Sequence, residues 1–402
     1  NLRRPPDSLV QGPRLYVASG EVGGGSNFIP ASTVVHYQYQ FLNQSVVTLT
    51  EEEFNRLNNS NLTYELDVRR FPQTTKMLRS SGPFSLPLTP DKRHLQFSLT
   101  WGFDAVQADK VHELGIKGQG AKICIIDSGI DVNHYELNRT AFAGYSDLFG
   151  FPWDEDSLGH GTHVAGIMAA SSPFGIGLRG VAPDAEYFIV RVMGDDVQTT
   201  YSSQLVNATF KCVQNGAKII NLSLGGPDPS RIEETLFTLF ADEEDILFVA
   251  AAGNLGPDAD FLYPASYPSV ISVSAVDEDK QFADFSNANA FVDLVAPGSE
   301  ILSIAPNDQY NVLSGTSLAT AYVSGVAALL WSHKPDAPAS RIRDAMFLGA
   351  RSIESEVCYG HGLVQAMKSL QILDGSDTPS ASPVVSTMPS SNTTECVATP
   401  TP

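Results

Sequence analysis

Between about residues 95 and 374, short apolar runs alternate with longer amphipathic ones. The short runs are continuous: AKICIID (121–127), YFIVRVM (187–193), AKIINLSL (217–224), DILFVAAAGN (245–254) and VISVSAV (270–276). Such runs are typical of strands that are buried on both faces of a sheet. Helical periodicity occupies the intervals at Tyr201–Asn215, Ser230–Ala241, Leu318–Trp331 and Ala339–Leu348. The pattern predicts an α/β fold, a mainly parallel sheet flanked by helices.

Composition separates three further segments from this region. Residues 1–75 are predicted to form a small α+β lobe, and residues 76–94 lack periodicity and form a linker. Residues 375–402 contain six Ser, six Thr and five Pro. That composition buries too little apolar surface to fold, so it predicts a disordered tail.

Charge and hydropathy exclude two classes of partner. The chain has 45 acidic and 25 basic residues and a formal charge of −20, which repels nucleic-acid phosphates. Its longest apolar stretch, Ala319–Trp331, is too short to span a bilayer. The chain begins with Asn rather than Met and shows no signal peptide, which indicates a fragment or a processed product. We expect a monomer that binds neither nucleic acid nor membrane.

The four cysteines lack metal-ligand spacing and allow three pairings if all are bridged. Cys124 lies in an apolar run, so we expect it to be a buried free thiol. Asn-x-Ser/Thr sequons begin at Asn43, Asn58, Asn61, Asn138, Asn207, Asn221 and Asn392. Asn221 lies in an apolar run, where no glycan would fit.

Four residues at strand ends and helix starts could act together in catalysis. Asp127 ends KICIID, His160 lies in GHGTHVAG, Asn254 ends FVAAAGN, and Ser317 lies in NVLSGTSLAT. Each alone has an ordinary explanation, such as a turn or a helix cap. Together, an aspartate can orient an imidazole, which takes the proton of a serine that attacks a carbonyl. The carboxamide and a backbone N–H at the helix start can then stabilise the oxyanion.

A metal site is the alternative for the histidines, because His160 and His163 are three residues apart. A zinc protease, however, requires two histidines four residues apart with an intervening Glu, which is absent here.

The motifs DSGID, HGTHVAG, AAGN and SGTSLAT resemble, in this order, the signatures of the subtilisin-like serine proteases. The resemblance covers about residues 95–373 and implies an endopeptidase that works through an acyl-enzyme. It implies that Asp127 orients His160, the general base and acid, and that Ser317 is both nucleophile and helix cap. Asn254 would be the oxyanion donor, and His163 matches a second, non-catalytic histidine.

Further matches concern substrate binding. NLSLGG resembles the family's substrate strand, so the resemblance implies main-chain pairing of a peptide with Ser223, Leu224, Gly225 and Gly226. Tyr201 would lie at an outer pocket, and Leu255 and Leu262 would lie near the primary pocket. That lining favours cleavage after large apolar or aromatic residues.

Two alternatives remain for the function. Asp258 and Asp260 share the segment of Leu255 and Leu262, and either in the pocket would indicate a dibasic-specific processing protease, as in kexin-like enzymes. The other alternative is a catalytically silent relative that only binds, and the four intact residues argue against it.

YPSV and FVDLVAPG resemble a calcium site of proteinase-K-like enzymes. The resemblance implies structural calcium on the carbonyls of Pro268 and Val270 and on the Asp293 carboxylate, although a lone carboxylate is weak support for calcium. No cofactor is expected for catalysis. The segment AASSPFGIGLRG differs from the calcium loop of bacterial subtilisins, so we expect no site there.

Residues 40–71 resemble the later part of the family's inhibitor propeptide: strand, helix begun by Thr50 with Glu53 in a capping box, strand. The resemblance implies a zymogen that is inhibited by its own propeptide. It also implies that the protein is secreted or, alternatively, lies in the vacuole or another secretory compartment. The alternative is an unrelated small α+β lobe. Self-cleavage is expected to leave a mature chain that starts within 71–96. The pairs Arg69–Arg70 and Lys92–Arg93 also permit cutting by a separate dibasic-specific enzyme.

Overall fold

The structure is a computed structural model that describes residues 14–19, 34–39, 44–49, 63–74, 101–171, 177–194, 199–355, 357 and 359–376. The strands are β1 (Arg14–Ser19), β2 (Val34–Tyr39), β3 (Gln44–Leu49), β4 (Thr63–Leu66), β5 (Arg69–Pro72), β6 (Lys122–Asp127), β7 (Phe142–Ser146), β8 (Glu186–Arg191), β9 (Thr200–Tyr201), β10 (Ile219–Leu222), β11 (Leu224–Gly225), β12 (Leu247–Ala251), β13 (Val270–Val276), β14 (Leu294–Pro297), β15 (Ile301–Ala305) and β16 (Gln309–Leu313). The α-helices are α1 (Trp101–Ala105), α2 (Ala108–Glu113), α3 (His160–Ala169), α4 (Ser202–Gln214), α5 (Arg231–Glu243), α6 (Thr316–His333), α7 (Ala339–Gly349) and α8 (Ala366–Asp374).

A seven-stranded sheet forms the centre of the molecule, in the order β14-β13-β12-β10-β6-β8-β7. Every neighbouring pair in it is parallel. The predicted α/β fold class with a parallel sheet is therefore confirmed. The carboxyl ends of parallel strands share one edge of a sheet, where chemistry collects in folds of this kind.

Alternating side chains of the central strand β6 face two separate cores. Ile123 and Ile125 pack on one face in a cluster that includes the long helix α6, and Cys124 and Ile126 pack on the other with residues of α4 and α5. Helix α6 is buried along nearly its whole length. This burial explains its continuous apolar sequence, since a helix that is apolar all round lies inside a protein. Among the described residues, no helix is long and apolar enough to cross a membrane.

The expectation of a free thiol at Cys124 is wrong, because Cys124 forms a disulfide with Cys212. Strand β6 and helix α4 pack against each other, which brings the two Cα atoms to 5.6 Å although 88 residues separate them in sequence. Cys358 and Cys396 lie outside the described residues.

A second, antiparallel sheet in the N-terminal region has the order β2-β3-β1-β4. The helix predicted to begin at Thr50 with Glu53 lies outside the described residues, as do the linker 76–94 and the tail beyond 376.

A third sheet, β11-β5-β9, joins the two regions. Its middle strand, β5, comes from the N-terminal region and pairs antiparallel with β11 and β9 of the main domain.

Glu136 is a fully buried carboxyl beside the end of β16. It accepts hydrogen bonds from the Tyr310 hydroxyl at 2.6 Å and from the Leu178 N–H at 3.0 Å. Burial raises the pKa of Glu136 from 4.5 to about 7, and the two hydrogen bonds only partly oppose it. The folded protein therefore holds this proton more tightly than the unfolded chain does.

From this we expect a Glu136-dependent loss of stability as pH rises from about 4.5 to about 7, on the order of 3 kcal/mol in all. Glu136→Gln removes the titration, so its free energy of unfolding should improve relative to the parent between pH 5 and pH 8. Urea unfolding in a Ser317→Ala background measures this without autolysis. The control is Glu113→Gln, because Glu113 is exposed. The expectation would be refuted if the difference in free energy of unfolding between Glu136→Gln and its parent did not change with pH.

Candidate active site

The predicted Asp and His lie together at the edge of the central sheet. Asp127 ends β6 and His160 opens α3, and Asp127 Oδ1 lies 2.7 Å from His160 Nδ1. The Ser128 N–H donates to the same carboxylate oxygen at 2.7 Å. Burial lowers the pKa of the His160 ring, but the Asp127 carboxylate and its hydrogen bond outweigh this, so the pKa is raised. Nδ1 is thus fixed on the carboxylate, and Nε2 is buried with no hydrogen-bond partner among the described residues.

The start of helix α3 is held by Asp156, which sequence reasoning missed. Its carboxylate accepts from the Gly159 N–H at 2.8 Å, from the Thr162 N–H at 2.8 Å and from the Ser128 hydroxyl at 2.9 Å. A carboxylate at a helix N-terminus satisfies free N–H groups and the helix dipole. The sequence signal was an Asp shortly before the glycine-rich helix start. Asp156 thereby fixes the position from which His160 projects.

Gly161 allows this helix to approach the strand end closely. A Cβ at Gly161 would lie 2.1 Å from the Gly129 carbonyl oxygen and 3.2 Å from Asp127 Oδ1. Any larger residue would therefore separate His160 from Asp127.

Ser317 is buried in the first turn of α6, but it is not the cap. The helix begins at Thr316, and Gly315 is the N-cap residue. The prediction that Ser317 caps the helix is therefore wrong. Its side chain instead donates to the main-chain oxygen of Gln73 at 2.6 Å. The serine lies at a helix N-terminus, where the helix dipole favours negative charge.

Asn254 lies just after β12, beside the same helix start. Its Oδ1 accepts a hydrogen bond from the Thr316 N–H at 2.9 Å. This bond sets the orientation of the side-chain amide. Its Nδ2 is buried and has no hydrogen-bond partner within the described ranges. Asn254 thus holds a free N–H donor next to Ser317, as an oxyanion donor requires.

Strand β5 and the two residues after it cross this site as an extended peptide. Phe71 pairs with Gly225 and Pro72 with Leu224. The next residue, Gln73, donates its N–H to the Ser223 carbonyl at 3.1 Å. Its own carbonyl oxygen accepts from the Ser317 N–H at 3.2 Å as well as from the Ser317 hydroxyl.

Gly226 faces the earlier part of the same peptide. A Cβ on Gly226 would lie 2.3 Å from the Arg69 carbonyl oxygen, so a side chain there would block the peptide. On the opposite side, Tyr201 pairs with Arg69 by main chain, and the Arg69 guanidinium lies 5.6 Å from the Tyr201 ring centroid.

The residues predicted for the primary pocket separate in the structure. Leu262 is buried and its Cδ1 lies against Gly253, next to Asn254, whereas Leu255 is 66% exposed. Asp258 and Asp260 are both exposed. The side chain of Gln73 donates to the Gly225 carbonyl at 3.2 Å and to the Phe71 carbonyl at 3.1 Å.

His163 is fully buried, and its Nε2 lies 3.1 Å from the Asn311 carbonyl oxygen. Burial lowers its pKa to about 3, so the ring is neutral.

The residues predicted to bind calcium lie near the start of β13. Asp293 Oδ2 accepts from the Ser272 N–H at 2.9 Å, and burial raises the pKa of Asp293 to about 6. Pro268 is exposed and Val270 begins the strand. In the part of the chain that the structure describes, no three His, Cys, Asp or Glu side chains group as a metal site. One carboxylate is a weak fit for a cation that takes six to eight oxygen ligands, so calcium here stays a prediction.

Comparison with known proteins agrees with the fold. The model of the Subtilase family matches residues 118–362. Subtilisin DY of Bacillus licheniformis is 37% identical over 278 residues, which are 68% of this chain and 99% of that protein. Subtilisin BL of Lederbergia lenta is 40% identical over 269 residues, which are 67% of this chain and 97% of that protein.

Subtilisin E of Bacillus subtilis is 36% identical over 277 residues, which are 68% of this chain and 72% of that protein. The chain belongs to the subtilase family and is a subtilisin-like serine endopeptidase.

Proposed function

We propose that this endopeptidase is a zymogen that cuts its own chain between Gln73 and Thr74, and that the segment ending at Gln73 is its inhibitory propeptide. The observation that carries the proposal is the contact of the Gln73 carbonyl oxygen with both the hydroxyl and the N–H of Ser317. Gln73–Thr74 lies within the interval expected from the sequence. Because the segment is continuous with the catalytic domain, the first cut is intramolecular.

The reaction follows from the site. Ser317 Oγ rotates toward His160 Nε2, gives it the proton and attacks the Gln73 carbonyl carbon. Asp127 keeps the Nδ1 proton of His160 in place and stabilises the imidazolium. The Ser317 N–H and Asn254 Nδ2 hold the oxyanion. The C–N bond then breaks, His160 gives its proton to the Thr74 nitrogen, and water, activated by His160, hydrolyses the ester and restores the Ser317 hydroxyl.

Inhibition after the cut is supported by two carboxylates of the N-terminal region at helix N-termini. Glu65 accepts from the Ser230 hydroxyl at 2.8 Å and the Arg231 N–H at 3.0 Å, at the start of α5. Asp67 accepts from the Ser202 hydroxyl at 2.9 Å and the Ser203 N–H at 3.0 Å, at the start of α4. These contacts do not involve the scissile bond, so they persist after cleavage and keep the propeptide on the enzyme.

We place the protein in a secretory compartment or outside the cell. A disulfide buried between β6 and α4 is typical of an oxidising environment. Among the sequons that the structure describes, Asn138 is exposed and can carry a glycan, whereas Asn221 is fully buried. We further propose that the enzyme acts as a monomer on protein and peptide substrates.

Cleavage of the decapeptide VRRFPQTTKM, residues 68–77, tests the proposal. Purified enzyme freed of its propeptide should cut this peptide between Gln and Thr. Cleavage after the Arg pair would support the dibasic-specific alternative instead, and no cleavage of any peptide would overturn the proposed function.

The same peptide tests the primary pocket. Because Leu262 is buried against Gly253, next to Asn254, and Asp258 and Asp260 are exposed, Phe or Leu in place of Gln should raise kcat/KM, and Arg should lower it. We expect kcat/KM to differ by about tenfold between these peptides, which is the effect of gaining or losing one or two methylene contacts. Equal or better cleavage of the Arg peptide would refute the apolar preference.

A further inference from the structure

Arg70 is the fourth residue before the Gln73–Thr74 bond, and it is fully buried. Its neighbours in β5, Arg69 and Phe71, are exposed. A buried guanidinium is rare unless it is paired, since removing a charge from water is strongly unfavourable.

The guanidinium of Arg70 is bound on three sides. Nε donates to Glu233 Oε1 at 3.1 Å and Nη2 donates to Glu233 Oε2 at 2.6 Å, which is a bidentate ion pair. Nη1 donates to the Asp228 carbonyl at 3.0 Å. A planar fork of this kind matches a carboxylate, whereas a lysine ammonium cannot bind both oxygens in the same geometry.

The residues around the Arg70 guanidinium form a pocket that favours a cation. Glu233 lies in the first turn of α5 and is fully buried, and the Tyr267 hydroxyl donates to its Oε2 at 3.2 Å. Burial raises the pKa of the Glu233 carboxyl, and the Arg70 charge opposes that rise. An apolar side chain in the pocket would leave this carboxyl buried without its cation, which is unfavourable.

All of the pocket residues belong to the catalytic domain, within the family match at 118–362. Main-chain pairing of β5 with β11 and β9 brings Arg70 to them. Main-chain pairing does not depend on sequence, so another extended peptide would bring its own fourth residue to Glu233.

Accordingly, and resting on the proposed function, we propose that Glu233 forms a guanidinium-binding subsite that selects protein substrates with Arg at the fourth position before the cut. The enzyme then prefers an apolar residue directly before the scissile bond and an arginine three residues earlier in the substrate. Its substrates are segments with a single Arg at that position, rather than the dibasic pairs of the alternative processing protease.

The test uses the propeptide-free wild-type enzyme and the peptide VRRFPQTTKM, with the second Arg replaced in turn by Ala, Lys and citrulline. Citrulline is close to arginine in shape but has no charge. We expect kcat/KM to fall about 100-fold for Ala, with Lys and citrulline between Ala and Arg. Replacing the first Arg, which matches the exposed Arg69, should lower kcat/KM by about fivefold at most, the scale of an exposed cation–π contact.

Matched enzyme variants identify the carboxyl. Glu233→Gln should reduce the Arg-to-Ala ratio to about 10 or less, and Glu234→Gln, exposed on the same helix, should keep the wild-type ratio. The peptide comparison needs only wild-type enzyme, so it stands even if Glu233→Gln fails to mature.

Cleavage of the Arg and Ala peptides at rates within about threefold would overturn the subsite while leaving the proposed function intact. Equal losses at the two Arg positions would also overturn it, because they would indicate general attraction of basic peptides to the acidic protein. Failure to cut any of the peptides would instead count against the proposed function.

Discussion

Replacing Ser317 with alanine should lower kcat for peptide hydrolysis by about 10⁶, which is the magnitude known for loss of the nucleophile in subtilisin, a relative of this chain. The reason is that, in the proposed mechanism, the Ser317 hydroxyl is the group that His160 activates, and alanine removes it. Residual hydrolysis would come from the oxyanion donors and from substrate binding alone.

The control for this variant is its stability. Ser317 is only one residue of the first turn of α6, and Gly315 is the N-cap. The free energy of unfolding of the alanine variant should therefore differ from that of the parent by about 1 kcal/mol at most. Wild-type turnover by a folded Ser317→Ala chain would mean that another residue is the nucleophile.

Asn254→Ala should lower kcat by about 10²–10³ with little change in KM. That range is the one known for the corresponding asparagine of subtilisin, so it is carried over from a relative. The physical reason is that Nδ2 of Asn254 is buried without a partner among the described residues. In the proposed mechanism it gains a partner when the oxyanion forms.

A serine probe separates the effects of the two variants. Asn254→Ala should still react with a fluorophosphonate at Ser317, more slowly, whereas Ser317→Ala should not react at all. A rise in KM with unchanged kcat in Asn254→Ala would contradict the assignment, because it would place the asparagine in ground-state binding.

Much of the fold could be predicted from local pattern. The strands β6, β10, β12 and β13 coincide with continuous apolar runs, and α4, α5, α6 and α7 start within two residues of the predicted bounds. These elements are long or strongly apolar, so tertiary contacts reinforce the local signal rather than oppose it.

What could not be predicted depends on contacts between distant parts of the chain. Cys124 is typical of a core thiol until the packing of α4 on β6 brings Cys212 beside it. Arg70 forms a dibasic pair with Arg69 in the sequence, yet in the structure it binds Glu233, which is 163 residues away. Local pattern carries no information on either partner.

The site shows the same division. Asp127, His160, Asn254 and Ser317 were predicted from motifs, because each lies in a distinctive run of residues. The capping role of Ser317 was wrong because Gly315 takes that position. Gln73 has no local signal at all; only its carbonyl contact with Ser317 distinguishes it.

The measurement that tests the central claim most directly compares wild-type and Ser317→Ala chains made in a host without dibasic-specific proteases. Intact mass and N-terminal sequencing should find the wild type cut, with the large fragment beginning at Thr74 and its rate of formation independent of protein concentration. The Ser317→Ala chain should remain uncut. Identical processing of both chains, or a wild-type fragment that begins after Arg70 or Arg93, would contradict self-cleavage at Gln73–Thr74 by Ser317.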